Sequence, residues 1–309
     1  MHDTLIVGAG MAGLACAMKL AAAGQSVLCL DKGRGSGGRM ASRRAENQGE
    51  EMRFDHGAQY FTARDPAFRA QVRAWHHDGV CALWPAAGED AWVGTPGMNE
   101  PVRAMAAGLA VQWAERVQSL HATTEGWEAR TATESHRARS IVIAIPPEQA
   151  GSLIAPHQPA FAARALDTPS KPCWAAMAQF SAPLPFDDVL REREAIAWAA
   201  RDSAKPGRAP GERWVLHASH DWSDRHRELD PEKVTSRLLD LFLEPLAQPP
   251  SVQYAAAHRW LYALAQPLAG PPAMWDVSRR IGVAGDWLIA PRVESAWLSG
   301  TNLAGRMLA

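Results

Sequence analysis

Near the start of the chain, Gly8-Ala9-Gly10-Met11-Ala12-Gly13 sets three glycines at a spacing suited to holding a pyrophosphate. The first glycine permits a tight turn, the second lets a phosphate approach the backbone, and the third lets helix and strand pack closely. A helix opening there offers free N–H groups and a partial positive charge to an anion. Asp31 follows Gly8 at the ~20-residue interval at which a carboxylate can accept hydrogen bonds from ribose hydroxyls. Lys32-Gly33-Arg34-Gly35-Ser36-Gly37-Gly38-Arg39-Met40 comes directly after it, a second glycine–arginine loop that a simple nicotinamide-dinucleotide domain has no need of. A ligand extended across a sheet edge would use it, with Arg39 and backbone amides facing phosphate.

A second constellation lies towards the other end. Ile281-Gly282-Val283-Ala284-Gly285-Asp286 is an apolar run closing on a glycine and an acid, and a helical stretch starts near Val293. Gly285 allows close approach of a ligand, and Asp286 can accept hydrogen bonds from a polyol. The spacing of Ala296, Leu303 and Met307 suits a helix packed on a sheet. Its N-terminus, at Val293 to Trp297, would aim its positive end at the same ligand.

These residues need a frame. Thr4 to Val7 reads as a buried strand, the Ala- and Leu-rich stretch to Ala23 as a helix stopped at Gly24, and Val27 to Leu30 as a second strand ending on Asp31. Trp113-Val117, Gly126-Thr131 and Ser140-Ile145 read as a small meander on that sheet, closed by Pro146-Pro147. Asp65-Pro66 opens an amphipathic helix whose Phe68, Val72 and Trp75 share a core-facing side. From Leu166 to Tyr262, alternating runs such as Trp174-Phe180 and Arg213-Ala218, with a helix opening at Asp230-Pro231-Glu232, predict a sheet covering a substrate. Arg201 to Glu212, rich in Pro, Gly and charge, is expected as an exposed hairpin loop. The resulting division is a discontinuous dinucleotide-binding domain, 1–60, 95–165 and 270–309, and a substrate domain, 61–94 and 166–269.

Composition excludes several classes. The 309 residues amount to about two domains, and 47% apolar with 21% charged residues rules out disorder and fibrous repeats. Lys and Arg number 32 against 33 Asp and Glu, so there is no electrostatic footprint for nucleic acid or an anionic membrane. The apolar stretch from Thr4 to Met18 is too short for a membrane span and lacks the basic lead of a signal peptide. Cys16, Cys29, Cys81 and Cys173 form no CxxC pair and read as reduced thiols of a cytoplasmic protein. His217, His220, Asp221 and His226 mix strand and loop spacing, which gives no fixed coordination geometry, so no metal site is expected. His76 and His77 read as surface residues. The 13 tryptophans, against 7 Phe and 3 Tyr, either fill a core or stack on flat ligands.

The two glycine–acid junctions resemble those of flavoproteins with the glutathione-reductase-type FAD fold, in the amine-oxidase-like superfamily. Further segments narrow the resemblance: Phe54-Asp55-His56-Gly57-Ala58-Gln59-Tyr60-Phe61-Thr62, Trp92-Val93-Gly94-Thr95-Pro96-Gly97-Met98-Asn99, His258-Arg259-Trp260-Leu261-Tyr262-Ala263, and Gly285-Asp286-Trp287 with the run from Val293 to Gly300. Together they are similar to the renalase-like oxidases, in particular the bacterial branch, over essentially the whole chain. The resemblance implies an α/β FAD-binding Rossmann domain with a second, mainly β substrate domain. It implies non-covalent FAD and oxidation of the 1,2- and 1,6-dihydro isomers of NAD(P) to NAD(P)+, with hydride passing to flavin N5 and O2 becoming H2O2.

It also implies site residues. Gly8, Gly10, Ala12, Gly13, Asp31, Lys32, Arg39 and Met40 belong to the adenosine and pyrophosphate path, and Val117, in a short strand after Trp113, grips adenine through its backbone. His56, Gly57, Ala58 and Gln59 pass the isoalloxazine ring and Asp286 holds the ribityl chain. Val293, Ala296 and Trp297 face the pyrimidine edge, where a helix end stabilises negative charge. Tyr60, Trp260 and the loop Thr95, Pro96, Gly97, Met98 and Asn99 shape the substrate pocket, with Arg292 available for phosphate. Trp92, Trp260, Trp287 and Trp297 are the tryptophans expected around the ligands; Trp75, Trp113 and Trp127 are expected in packing roles.

A dihydropyridine that loses a hydride becomes aromatic without surrendering a proton, so no general base is required and no catalytic side chain is predicted. Covalent flavin in this superfamily is attached through a cysteine in the C-terminal third; the last cysteine here, Cys173, is far in sequence from His258-Tyr262 and Gly285-Asp286. Two other readings stay open: a flavin amine oxidase or desaturase acting on another small substrate, since fold does not fix function, and a non-catalytic binding protein of the same fold.

Overall fold

The computed structural model describes residues 1–47 and 49–309. Apolar runs at the ends of His2–Val7, Val27–Asp31, Ser135–Ile143 and Ile281–Val283 pair parallel, as strands buried on both faces do. The main path of an eight-stranded sheet runs Met274–Asp276, Ile281–Val283, Ser135–Ile143, His2–Val7, Val27–Asp31, Ala110–Trp113. Val7 stands level with Ile143 on one side and Leu30 on the other. The glycine turn after Val7, the acid after Leu30 and the Gly285-Asp286 junction after Val283 therefore reach the same sheet edge.

The meander differs from expectation. Ser135–Ile143 pairs antiparallel with Gly126–Arg130 at its start and then runs parallel between His2–Val7 and Ile281–Val283 as a central strand. The remaining meander strand is Ser119–Thr123. Ile141, Val142 and Ile143 are all fully buried, so neither face is marked as outer and the run carries no alternation. Val117 lies between strands rather than within one, because the strand before it ends at Trp113.

The second sheet is antiparallel, in the order Val189–Arg193, Ile196–Arg201, Glu212–Ala218, Ser170–Phe180, Val252–Ala265. Its residues alternate faces as the strand period demands. Trp174, Ala176, Trp214 and Leu216 pack with Val234, Leu238 and Phe242 of the helix Pro231–Leu243. Met177 and Val215, on the opposite face, pack with Met52 and Phe54 of the two-stranded ribbon Arg43–Asn47 and Glu50–Phe54. Asp65 and Asp230 cap the helices Pro66–His77 and Pro231–Leu243, accepting from Ala67, Phe68 and Glu232 amides. Phe68, Val72 and Trp75 join the core around Leu14 and Leu20. Among the described residues no helix is long and apolar enough to cross a membrane.

The first helix, Met11–Ala22, and the last, Val293–Leu308, cross almost backbone to backbone. A Cβ on Gly300 would overlap the carbonyl oxygen of Ala12. Gly300→Ala is therefore expected to lower the unfolding free energy by about 1–3 kcal/mol, the range for overpacking a tight contact. Denaturant unfolding checks this, and unchanged stability would mean that the crossing has slack.

Candidate active site

Gly8 adopts φ +103°, which L side chains rarely adopt, and its missing Cβ leaves room for Ala144. A Cβ on Gly13 would overlap the carbonyl of Gly8, so Gly13 seats the helix on the strand and does not face the ligand space. Gly10 has open space where a Cβ would stand. The first helix begins with no side-chain cap and no acid in its first turn, which leaves its leading amides free to donate. Asp31 accepts from the amides of Ala9 and Gly33, each at 2.7 Å, and keeps further lone pairs on both oxygens.

A cavity of about 2260 Å³ runs from this turn along the sheet edge. Ordinary small-molecule pockets measure roughly 300–1,000 Å³, so the space suits an extended dinucleotide together with a second ligand. Gly8, Gly10, Ala12, Asp31, Lys32 and Val117 line one end. Arg39, Met40, Asn99, Asp286, Arg292, Val293 and Ala296 also line it. Arg39 Nη2 lies 2.5 Å from Asp286 Oδ1, tying the glycine–arginine loop to the C-terminal junction. The Ala58 amide donates to the carbonyl of Arg39 at 2.9 Å, and a Cβ on Gly57 would overlap that carbonyl. Gly57 is thus what lets the segment from His56 to Tyr60 lie against the loop.

At the far end the wall is aromatic. His56, Gly57, Ala58, Gln59, Tyr60 and Trp260 line it, joined by Trp198, His217 and His258, which the sequence did not single out for this role. Trp260 Nε1 donates to the carbonyl of His56 at 2.9 Å, and its ring stands 4.9 Å from the His56 ring and 4.7 Å from the His258 ring. Tyr60 and Trp198 lie 5.4 Å apart. Burial pushes His56 down to about 3, helped by His258, Arg43 and His217. Burial likewise takes His217 down to about 4, and it lowers His258, with Arg43 adding to the effect. All three imidazoles are neutral at pH 7. Nδ1 of His56 is buried without a hydrogen-bond partner.

Several expectations are corrected. Thr95, Pro96, Gly97 and Met98 do not line the cavity: the Thr95 hydroxyl donates to Gly79, and the Met98 amide is drawn inward to Asp55 at 2.9 Å. Trp297 packs on Phe68 at 5.5 Å, Trp287 is fully buried and Trp92 pairs with Phe61, so among the four tryptophans placed around the ligands only Trp260 lines the cavity. Cys173, far from Trp260 in sequence, stands directly opposite it across two paired strands and lines the cavity. Burial raises its thiol to about 12, which keeps it protonated and unreactive.

The segment from Arg201 to Glu212 joins two antiparallel strands, but it is exposed only at Gly207 and at Ala209 to Gly211. Asp202 and Lys205 are buried, as is the Arg208 side chain, and they meet Asp55. Lys205 Nζ donates to Asp202 Oδ1 (2.7 Å), Gln59 Oε1 (3.1 Å) and Asp55 Oδ2 (3.4 Å). Arg208 Nη2 reaches Asp55 Oδ2 at 2.5 Å, and the Ser42 hydroxyl donates to Oδ1 at 2.5 Å. Burial would raise the Asp55 carboxyl, but Lys205 and Arg208 outweigh it and hold the group below the usual carboxylate range. Burial and the Asp55 charge push Asp202 up. A dense mixture of charge, Pro and Gly reads as solvated when its partners lie elsewhere in the chain.

Residues 84–308 match the family described as flavin containing amine oxidoreductase, and residues 6–75 match the NAD(P)-binding Rossmann-like domain. The structure is similar to cyclohexylamine oxidase from Brevibacterium oxydans IH-35A, with TM-score 0.68 and 15% identity over 99% of this chain and 98% of that one. It is similar to a putative protoporphyrinogen oxidase from Exiguobacterium sp. 255-15, with TM-score 0.77 and 11% identity over 99% and 98%. A putrescine oxidase bound to putrescine matches at TM-score 0.61 and 14% identity over 99% of both chains. At these identities the likeness speaks for the fold, an α/β Rossmann-like part with a second sheet, which is the fold the sequence predicts.

The neutral histidines set a pH dependence. Unfolded, His56 and His217 take up protons near pH 6.5; folded, they resist until about 3 and about 4. Their contribution is complete above pH 6.5 and is lost as pH falls below it, by up to about 1.4 kcal/mol per pH unit for each histidine. Denaturant unfolding between pH 7 and pH 5 should show this fall, and His217→Gln should remove one histidine's part of the slope. An unchanged slope in the variant would contradict the assignment.

Proposed function

The chain belongs to the flavin containing amine oxidoreductase family and binds FAD, and we propose that within this family it oxidises the 1,2- and 1,6-dihydro isomers of NAD(P) to NAD(P)+. The observation that carries this reading is the charge of the cavity. Its lining holds Lys32 and ten arginines against five carboxylates, Asp31, Glu100, Glu115, Glu148 and Asp286. Two of the five are paired with arginine, Glu100 with Arg103 and Asp286 with Arg39. At the aromatic end the charged group acting on both His56 and His258 is Arg43, and no carboxylate acts on either. An ammonium substrate would meet repulsion there, whereas a phosphorylated one meets complementary charge.

The residues present fit FAD. The uncapped first helix, Asp31 and Arg39 would hold its adenosine diphosphate half; Asp286, the His56–Gln59 segment with its unpartnered Nδ1, and the start of the last helix would hold the rest. When bound, FAD supplies the hydride acceptor, flavin N5, and O2 takes up the electrons as H2O2. Trp260, fixed by its hydrogen bond to His56, and the Tyr60–Trp198 pair offer flat faces for a pyridine ring, holding it for near-attack geometry. The neutral histidines take no proton, in keeping with a reaction that needs no base. We assign FAD to the half built on the eight-stranded sheet and the substrate to the half built on the five-stranded sheet. The four cysteines are buried and unpaired, and we place the protein in the reducing cytoplasm.

Oxidised holoenzyme mixed anaerobically with borohydride-generated NAD(P) isomers is expected to lose its flavin colour, at a rate that is flat between about pH 5 and 8. An amine substrate would instead give a rate rising with pH as its ammonium, with a pKa near 10, deprotonates. Bleaching by simple amines and not by the isomers would overturn the reading. Trp260→Ala should slow flavin reduction by about 10- to 100-fold with FAD retained; unchanged reduction kinetics would remove Trp260 from the pocket.

A further inference from the structure

The ribbon formed by Arg43–Asn47 and Glu50–Phe54 leaves the wall of the cavity beside His56. Its two faces differ. Ala45, Met52 and Phe54 pack on Met177, Val215 and Tyr254 of the five-stranded sheet, which fixes the ribbon in place. On the other face Arg44 stands directly opposite Arg53, and on the next rung Glu46 stands directly opposite Glu51. Like charges directly opposite each other destabilise a ribbon, and exchanging one arginine with one glutamate would have paired both rungs. The chain instead segregates the charges, with the arginine rung nearer the cavity. Arg44 and Arg53 share a single carboxylate, Glu51, at 4.0 Å and 3.2 Å. Arg43, at the inner end, also lines the cavity and has no ion-pair partner among the described residues. Arg44 and Arg53 thus line the cavity from the outer face of the ribbon with one carboxylate between them, and Arg43 lines it from the strand end on the other face.

We propose that the Arg44–Arg53 rung, backed by Arg43, is a phosphate-recognition site for the nucleotide tail of the substrate, the part that projects from the aromatic end while its pyridine ring lies within. This rests on the dinucleotide reading of the substrate. Guanidinium pairs suit the planar, multi-acceptor face of a phosphate, and two of them sharing one carboxylate keep donors to spare. The phosphate can be the pyrophosphate common to NAD and NADP or the extra monoester of NADP; NADP+ and NAD+ differ by the monoester alone, and NAD+ and nicotinamide riboside by the pyrophosphate with its adenosine. Because Arg44 and Arg53 reach solvent, the site also draws anions from outside and loses strength with salt.

The test is a titration of the FAD-loaded protein and of an Arg44→Ala, Arg53→Ala double variant with NADP+, NAD+ and nicotinamide riboside, following the perturbation of the flavin absorbance band. Both side chains lie on the outer face of the ribbon, and circular dichroism with the flavin spectrum establishes that the variant keeps its fold and cofactor. Wild type is expected to prefer a dinucleotide to the riboside by at least about tenfold for each arginine engaged, and this ratio is expected to collapse in the variant. Collapse of the NAD+-to-riboside ratio assigns the rung to pyrophosphate; collapse confined to the NADP+-to-NAD+ ratio assigns it to the monoester. A variant that keeps both wild-type ratios overturns the proposal. Anaerobic bleaching of wild type by the dihydro isomers is scored separately, so failure of that reaction with collapse of the ratios would discard the oxidase reading and leave the phosphate site standing.

Discussion

Asp55 is where three other parts of the chain meet: the stretch just after the glycine–arginine loop through Ser42, the 95–99 loop through the Met98 amide, and the 201–212 segment of the covering sheet through Lys205 and Arg208, all on one carboxylate. Bringing two carboxylates and two cations out of water costs several kcal/mol for each ion, and the attraction among them offsets that cost only when nearly every lone pair and proton is matched. Here the matching is close to complete. Gln59 shows the consequence, because its Oε1 accepts from Lys205 while its Nε2 donates to the carbonyls of Asp55 and Gly57. The segment from His56 to Tyr60 is therefore held by its own backbone, by the ion cluster behind it and by Arg39 in front. A site fixed on several sides in this way keeps its geometry without help from the ligand.

The charge of the whole chain, −1, conceals a strong local imbalance. Cations gather on the cavity wall, and they add to the burial that keeps the histidines neutral. His56 and His258 face Arg43, so protonating either would place a second positive charge beside a guanidinium in a buried site. Held neutral, they give polar, hydrogen-bonding surface without a competing charge. Arg43 thus reinforces, from the cavity lining, what burial already imposes on both rings.

What could be read from the sequence is what is dictated locally. Gly8, Gly10, Asp31, Gly285 and Asp286 each stand at the end of a short apolar strand, so their place at one sheet edge follows from the strands that carry them. The caps at Asp65 and Asp230 were legible for the same reason. The loop from Arg201 to Glu212 was not, because what buries Lys205 is a carboxylate about half the chain away. Trp297 and Ala296 are neighbours on one helix, yet only Ala296 lines the cavity while Trp297 turns to Phe68. Residue type alone could not choose between them.

Strand register accounts for the remainder. Trp198 stands opposite His217, His217 opposite Ala175, and Ala175 opposite His258, so one rung across four strands supplies half of the aromatic wall. Cys173 and Trp260 stand opposite each other two residues along, on the same face. The centre of this rung is an alanine, and His56 touches the histidines on both sides of it, His217 through its carbonyl and His258 through its ring. A slip of one residue in any of these pairings would turn Trp198, His217 or His258 to the face occupied by Trp214 and Phe242. The register that prevents it is fixed by packing on both faces: large apolar residues against the helix Pro231–Leu243 on one side, Met177 and Val215 against Met52 and Phe54 on the other. The same ribbon that presents Arg44 and Arg53 to the cavity mouth therefore also holds the covering sheet in the alignment that gives the cavity its floor.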